Sequence, residues 1–526
     1  MLRLLENLPD ALRRALVHGS EGARHLSFCA GLAAQARKDR LAAELLLAAW
    51  AESPLDASLA AQAANLHSAP ESARELARHV AANTAAPADL TYYRRLAQRR
   101  DAPKIAAYLD AQAAKEPGNL FWTAKTLFHA LDAEDWERAT ASAAPLPEPL
   151  ARLVESETAL LSGDAPRALA NASRLARLWE CPGLEQRLGL AFLGQGDPDQ
   201  AGRWLRAGIA REPWRTRSLL LLHDLEHGLR EAAAPLPGRT AVLLYTWNKA
   251  REIDLTLQSL LASRLHGATV VVLDNGSTDD TPQVLRAWTE RAGGQRLETV
   301  RLPVNVGAPV ARNWLASLET ARAAEWIVYL DDDVSLPEDW LERLGAAASL
   351  YPDAGVWGAR VREYARPSHV QSADVFLLPP DEEGGAFSLS SCHHEALDRG
   401  HLRAVRPCAT VTGCCHLFRA ATLQALGGFD LRFSPSQYDD LDHDIRLLLS
   451  GKAPVCQGHL AVGHFKATGS QGQPGQAQYG LGHAHQFKLR HKHSAGDYRR
   501  AAALADRLAW EDLRAKALAA GEAHAP

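Results

Sequence analysis

No apolar run in this chain approaches the length of a bilayer span, and the opening residues Met1-Leu-Arg-Leu-Leu-Glu6 lack a signal-peptide core. A membrane-embedded enzyme is therefore not expected. An excess of basic charge is missing too. The 58 Lys and Arg face 62 Asp and Glu for a net charge of −4, which removes the electrostatic footprint of a general nucleic-acid binder. Cysteine is sparse and odd in number, seven in 526 residues, so a reducing, cytoplasmic setting is expected rather than a disulfide framework. What remains is ordinary for a globular chain: 47% hydrophobic and 23% charged residues. At this length one core is too few, and two or three domains are expected.

Residues 1–234 read as helical. Alanine and leucine recur at helical spacing, interrupted by short turns at Ser53-Pro54 and Gly163-Asp164. The clearest unit holds Leu188-Gly189, Phe192, Ala201, Leu205, Gly208 and Pro213, with Gly194-Gln-Gly196-Asp197 as its turn. Small residues at 189 and 201 would let two helices approach closely. These spacings resemble a tetratricopeptide repeat, and weaker copies surround Asp164 and Asp135. The resemblance implies an all-α solenoid whose extended surface holds a peptide or protein. The plain alternative is helical packing without a ligand.

Pro235-Leu-Pro237-Gly238 marks a linker, after which the period changes. Thr240–Tyr245 and Thr269–Leu273 read as strands, Leu302–Val304 as a short one, and Trp326–Leu330 as a buried one. Between them lie helical stretches, the first carrying Ile253, Leu257, Leu260 and Leu261 on one face. Alternating strands and helices predict a doubly wound α/β domain over 239–492, with 493–526 as a helical tail. Trp326–Leu330 runs directly into Asp331-Asp332-Asp333. Ligands of open α/β sheets gather beyond strand C-termini, and adjacent carboxylates ask for a divalent cation. Strand alternation would put Asp331 and Asp333 on one side and Asp332 on the other, supporting the turn. A solvated acidic turn is the bland alternative.

Several motifs stand in order around this stretch. They are Thr246-Trp-Asn248, Asp274-Asn-Gly-Ser277, Asn305-Val-Gly307 with Arg312-Asn313, and Leu330-Asp-Asp-Asp333. Thr412-Gly413 through Arg419, Gly427-Gly-Phe-Asp430 and Tyr438-Asp439-Asp440 follow. Together they resemble family 2 glycosyltransferases of the GT-A fold over about residues 239 to 465. The resemblance implies inverting transfer of a sugar from a nucleotide-diphosphate donor, UDP favoured, with Mn²⁺ or Mg²⁺. Asp333 is then the metal ligand, and His464 completes the site, with His459 as its competitor. Thr246, Asn248, Asp274, Arg312, Asp331 and Asp332 form the donor-binding set, Asp274 reading the base. Arg312 has a second reading, as an internal partner of Asp274. Asp440 is the base that deprotonates the acceptor hydroxyl. Asp439 and Asp442 suit helix capping as well.

Other stretches are read more plainly. Gly469–Gly475 looks like a flexible loop that closes over the donor, and residues 364–407 line the acceptor pocket. The histidines at 483, 485, 491 and 493 fit a solvated basic helix. Cys392, Cys408, Cys414 and Cys415 lack the spacing of a zinc knuckle and are read as core thiols. A helical repeat joined to a transferase suggests a protein acceptor, such as a bacterial surface or flagellar protein. A glycan or lipid-linked acceptor is the alternative, and a non-catalytic scaffold is the rival from another class. A nucleotidyltransferase ranks last, because Thr246-Trp-Asn-Lys-Ala-Arg251 is not a glycine-rich loop.

Overall fold

The computed structural model describes residues 1–292, 296–382, 385–390, 393–466 and 476–521. The chain forms two compact units. One comprises Met1–Glu226 with Leu397–His401 and the chain from Arg514 onward; the other comprises His227–Ala396 and Leu402–Leu513. The stretch read as a linker, Pro235–Gly238, lies in the second unit. There Pro237 O accepts from Trp326 Nε1 at 2.8 Å, and Leu236 packs on the core. The expected Gly469–Gly475 loop falls outside the described residues, as does Cys392.

The first unit is helical, running from Leu2–Glu6 to Thr216–Glu226. Aspartate opens helix after helix. Asp56, Asp101, Asp135, Asp164 and Asp197 each accept an N–H of the first turn, satisfying a donor that the helix leaves free. Gly189 does what its position in the sequence suggests. A Cβ there would lie 2.9 Å from Leu205 Cγ, so the helices Leu184–Gly194 and Pro198–Arg211 touch at that point. Inside this unit Arg399 bonds Glu52 and Glu157, both at 2.7 Å, and Arg187 reaches Glu52 at 3.2 Å. A cavity of about 610 Å³ stands over these charges, with Leu55, Phe121, Phe128 and Leu131 among its walls and Lys125 beside them.

The second unit is built on a mixed sheet. Its strands are β1 (Thr240–Thr246), β2 (Thr269–Asp274), β3 (Leu297–Arg301), β4 (Trp326–Leu330), β5 (Val334–Ser335), β6 (Val356–Glu363) and β7 (His369–Ser372). A separate ribbon, β8 (Leu377–Leu378) and β9 (Ser388–Leu389), precedes β10 (His393–Leu397), β11 (Val405–Pro407), β12 (Cys415–Arg419) and β13 (Pro454–His464). The main order is β10-β7-β6-β12-β4-β1-β2-β3. β4, β1, β2 and β3 are parallel, and β12 runs antiparallel to β4. Val242, Leu244, Val270, Val272, Val328 and Leu330 share one core with Ile253, Leu257 and Leu260 of the helix Ala250–Ala262. That covering explains why these strands read as continuous apolar runs.

Two expectations shift. The strand placed at Leu302–Val304 is instead Leu297–Arg301. It is the sheet's last strand, with polar residues exposed along it, and an edge of this kind gives no apolar signal. Of the histidines at 483, 485, 491 and 493, only His483 and His491 are exposed as a solvated helix requires. His485 and His493 are buried, and Leu489, Tyr498 and Ala501 pack with Leu441, Ile445 and Leu448.

Candidate active site

Three parallel strands end together. Thr246 is paired with Asp274 across β1 and β2, while Leu244 is paired with Leu330 across β1 and β4. β12 starts at the same edge, Cys415 opposite Leu330, so the Gly413–Cys414 turn meets Asp331. Asp331 N donates to Cys414 O at 3.1 Å. β13 reaches the acidic triplet from another side, pairing His464 with Val334 of β5.

The triplet is held by cations supplied by the chain itself. Lys249 Nζ sits 2.8 Å from Asp332 Oδ1 and 2.8 Å from Asp333 Oδ2. The other oxygen of Asp333 faces His464 Nε2 at 3.0 Å, and Gln371 Oε1 lies 2.7 Å from His464 Nδ1. Burial works against a charged Asp333, but His464 and Lys249 outweigh it and hold the carboxyl well below its usual range. At Asp332 burial wins over Lys249, and the carboxyl rises to about 6. The expected strand alternation holds only in part, because β4 ends at Leu330: Asp331 and Asp333 both approach His464, but Asp332 does not point away from them. Asp332 turns to the same lysine as Asp333, while Asp331 faces Arg312 at 3.4 Å.

Arg312 stands where the sequence reading did not put it. It is 5% exposed, its Nη1 donates to Asp439 and its Nη2 faces Asp331. Its guanidinium also lies 5.2 Å from the Phe429 ring centre. A side chain so enclosed ties the acidic turn to the helix Asp439–Leu449 instead of pointing at a ligand. Nor does it pair with Asp274, whose partners are Arg301 at 3.2 Å and Ser277 N at 2.8 Å. Burial lifts Asp439 to about 6 in spite of Arg312. Arg312→Met should therefore strand a buried carboxylate and cost about 3–5 kcal/mol, read from the unfolding midpoint. The loss should be smaller below about pH 6 than above it, because protonation removes the stranded charge.

Asp440 begins the same helix and is half-buried. Its Oδ2 accepts from Gly413 N at 2.9 Å and its Oδ1 from Leu441 N at 2.8 Å. Gln437 and Tyr438, both at positive φ, turn the chain into it. A Cβ at Gly413 would lie 2.7 Å from Arg312 Nη2, so a larger residue there would push the guanidinium aside. Asn248 accepts from Thr278 N at 2.7 Å, and its own N–H donates to Ser277 Oγ at 3.0 Å, so it braces the loop beside buried Thr246. His459 lies five residues before the end of β13, away from the His464–Val334 pairing. Asp442 is buried against Arg446, Lys492 and His493.

The sequence reading thus missed Lys249, Arg301 and Gln371. The demand of three neighbouring carboxylates for a positive partner was a signal for the lysine. Asp331, Cys414 and His464 present ligand atoms within 4.8 Å of one another, with Asp333 beside them. Carboxylates, an imidazole braced at its far nitrogen and a short mutual distance fit a divalent cation.

An acidic edge beyond parallel strands, with a further carboxylate presented by a helix start, defines an α/β transferase domain. Residues 241–424 match the model of the family named Glycosyl transferase family 2, and the protein is a glycosyltransferase. Two proteins of Mycobacterium tuberculosis, strains CDC 1551 and H37Rv, bear the name N-acetylglucosaminyl-diphospho-decaprenol L-rhamnosyltransferase. Each is 27% identical over 248 residues, 44% of this chain and 78% of its own length. The O-antigen biosynthesis protein RfbC of Myxococcus xanthus is 25% identical over 232 residues, 43% of this chain and 17% of that protein. Among solved structures, GalNAc-T7 with UDP, GalNAc and Mn²⁺ has a TM-score of 0.37 at 13% identity, with 47% of each chain covered. The mannosyltransferase PcManGT of Pyrobaculum calidifontis, with GDP-Man and Mn²⁺, has a TM-score of 0.35 at 17% identity. It covers 59% of this chain and 88% of its own. Among the described residues no helix is long and apolar enough to cross a membrane, and the six described cysteines are free thiols.

Proposed function

We propose that this protein transfers a sugar, with inversion, from a nucleotide-diphosphate donor to an acceptor hydroxyl. One observation carries this reading: the ends of β1, β2 and β4, the start of β12 and the helix bearing Asp440 meet at a single sheet edge. Asp274 accepts from the base, beside Thr246 and the loop braced by Asn248. Asp333 and His464 would hold a Mn²⁺ or Mg²⁺ ion, with Asp331 close by. Such an ion offsets the negative charge that grows on a departing diphosphate. Arg312 keeps Asp331 and Asp439 in place, and Asp440 takes the proton of the incoming hydroxyl. UDP is the favoured nucleotide.

We read residues 1–234 as tetratricopeptide-like and as the part that holds the acceptor, and residues 239–492 as the catalytic domain, in a cytoplasmic protein. The Gly189–Leu205 contact, the aspartate-capped helices and the 610 Å³ cavity support that reading. A protein acceptor fits a cavity walled by Phe121, Phe128 and Leu131. The names of the mycobacterial relatives favour a second reading, a lipid-linked acceptor. Incubating the purified chain and a bacterial extract with labelled nucleotide sugars, one at a time with Mn²⁺, separates the two. Label in acid-precipitated protein is expected; label in the organic phase supports the lipid-linked reading. Absence of both transfer and nucleoside-diphosphate binding would leave only a scaffold.

A further inference from the structure

We propose that Cys414 is a sulfur ligand of this divalent site, which makes the site prefer thiophilic cations such as Zn²⁺ or Cd²⁺ over Mg²⁺. The inference rests on the metal role assigned above to Asp333 and His464. Its first support is the sheet register. With Cys415 opposite Leu330, Cys414 falls beside Asp331 just before β12 begins, and Asp331 N donates to its carbonyl at 3.1 Å. Cys415 is wholly buried in the core. Cys414 brings its sulfur within 4.8 Å of both the Asp331 carboxylate and the His464 ring. Cys414 belongs to the same core cluster as Cys415, as a core thiol should, but its sulfur also faces the acidic edge.

The second support is independent. Gln371 Oε1, 2.7 Å from His464 Nδ1, fixes the ring so that Nε2 stays aimed at the acidic edge, 3.0 Å from Asp333 Oδ1. The converging donors are one carboxylate, one imidazole and one sulfur, from Asp331, His464 and Cys414, with the Asp333 carboxylate beside His464. Carboxylates alone suit Mg²⁺ or Mn²⁺, whereas sulfur shifts preference toward Zn²⁺ and its heavier analogue Cd²⁺. Binding forms a metal–sulfur bond and breaks the S–H bond, and the proton leaves to solvent. Oxygen-seeking Mg²⁺ leaves the thiol protonated and uses the oxygen and nitrogen ligands alone.

Titrating the purified full-length protein with CdCl₂ tests this. A thiolate-to-cadmium charge-transfer band in the ultraviolet should grow to one equivalent. Cys414→Ser should abolish it and weaken Cd²⁺ at least about tenfold, with Mn²⁺ affinity changed far less. Cys415→Ser should keep the band. A band that survives Cys414→Ser, or Cd²⁺ binding without a band, overturns the proposal while leaving the metal role of Asp333 intact. Failure of the wild-type chain to bind either Cd²⁺ or Mn²⁺ overturns both.

Discussion

Asp440→Asn should lower turnover by about 10²–10⁴-fold while nucleotide affinity stays within a small factor of wild type. The substitution keeps size and one acceptor oxygen, so the bond from Gly413 N can persist. What it removes is a place for the acceptor's proton. Two backbone N–H groups hold the carboxylate in place at the start of the helix Asp439–Leu449. The neighbouring Asp439 cannot replace it, because it is buried and engaged by Arg312. Initial rates with a competent donor and acceptor, beside calorimetric binding of the nucleoside diphosphate, check both halves. Full turnover in the variant would remove Asp440 from the chemistry.

Asp333→Ala should abolish metal-dependent nucleotide binding and reduce transfer on the order of 10³-fold, the size expected when several kcal/mol of charge stabilisation is lost. The fold should survive, since Lys249 keeps Asp332 and His464 keeps Gln371. Binding of a nucleoside diphosphate measured with and without Mn²⁺ is the direct readout. A variant in which Mn²⁺ still strengthens nucleotide binding as in wild type would move the metal away from Asp333.

The parts of this site that could be read from the sequence are those written locally. Trp326–Leu330 followed by three aspartates is a buried strand meeting a polar edge, and Asp274 closes a similar run. Asp440 and His464 came from resemblance to a family, and they stand at the same sheet edge as the triplet. Residues whose importance depends on closure in space were silent. The acidic triplet asks for a positive partner, but a lone lysine in the loop after β1 carries no periodic signal to say that it is the one spanning two of the carboxylates. Arg301 meets Asp274 only because β3 lies next to β2, and Cys414 differs from Cys415 only through register. Nothing in Leu397–His401 announces that these five residues cluster with the helical unit, where Arg399 bonds Glu52 and Glu157.

The ammonium group of Lys249 has a thermodynamic corollary. Because it already occupies the gap between two carboxylates, the resting enzyme does not rely on bound metal to suppress repulsion in its own turn. Treatment with a chelator should accordingly leave the melting temperature nearly unchanged. A divalent ion at Asp333, as proposed above, would compete with a tethered monovalent rival, and its binding would be an exchange with an internal leaving cation.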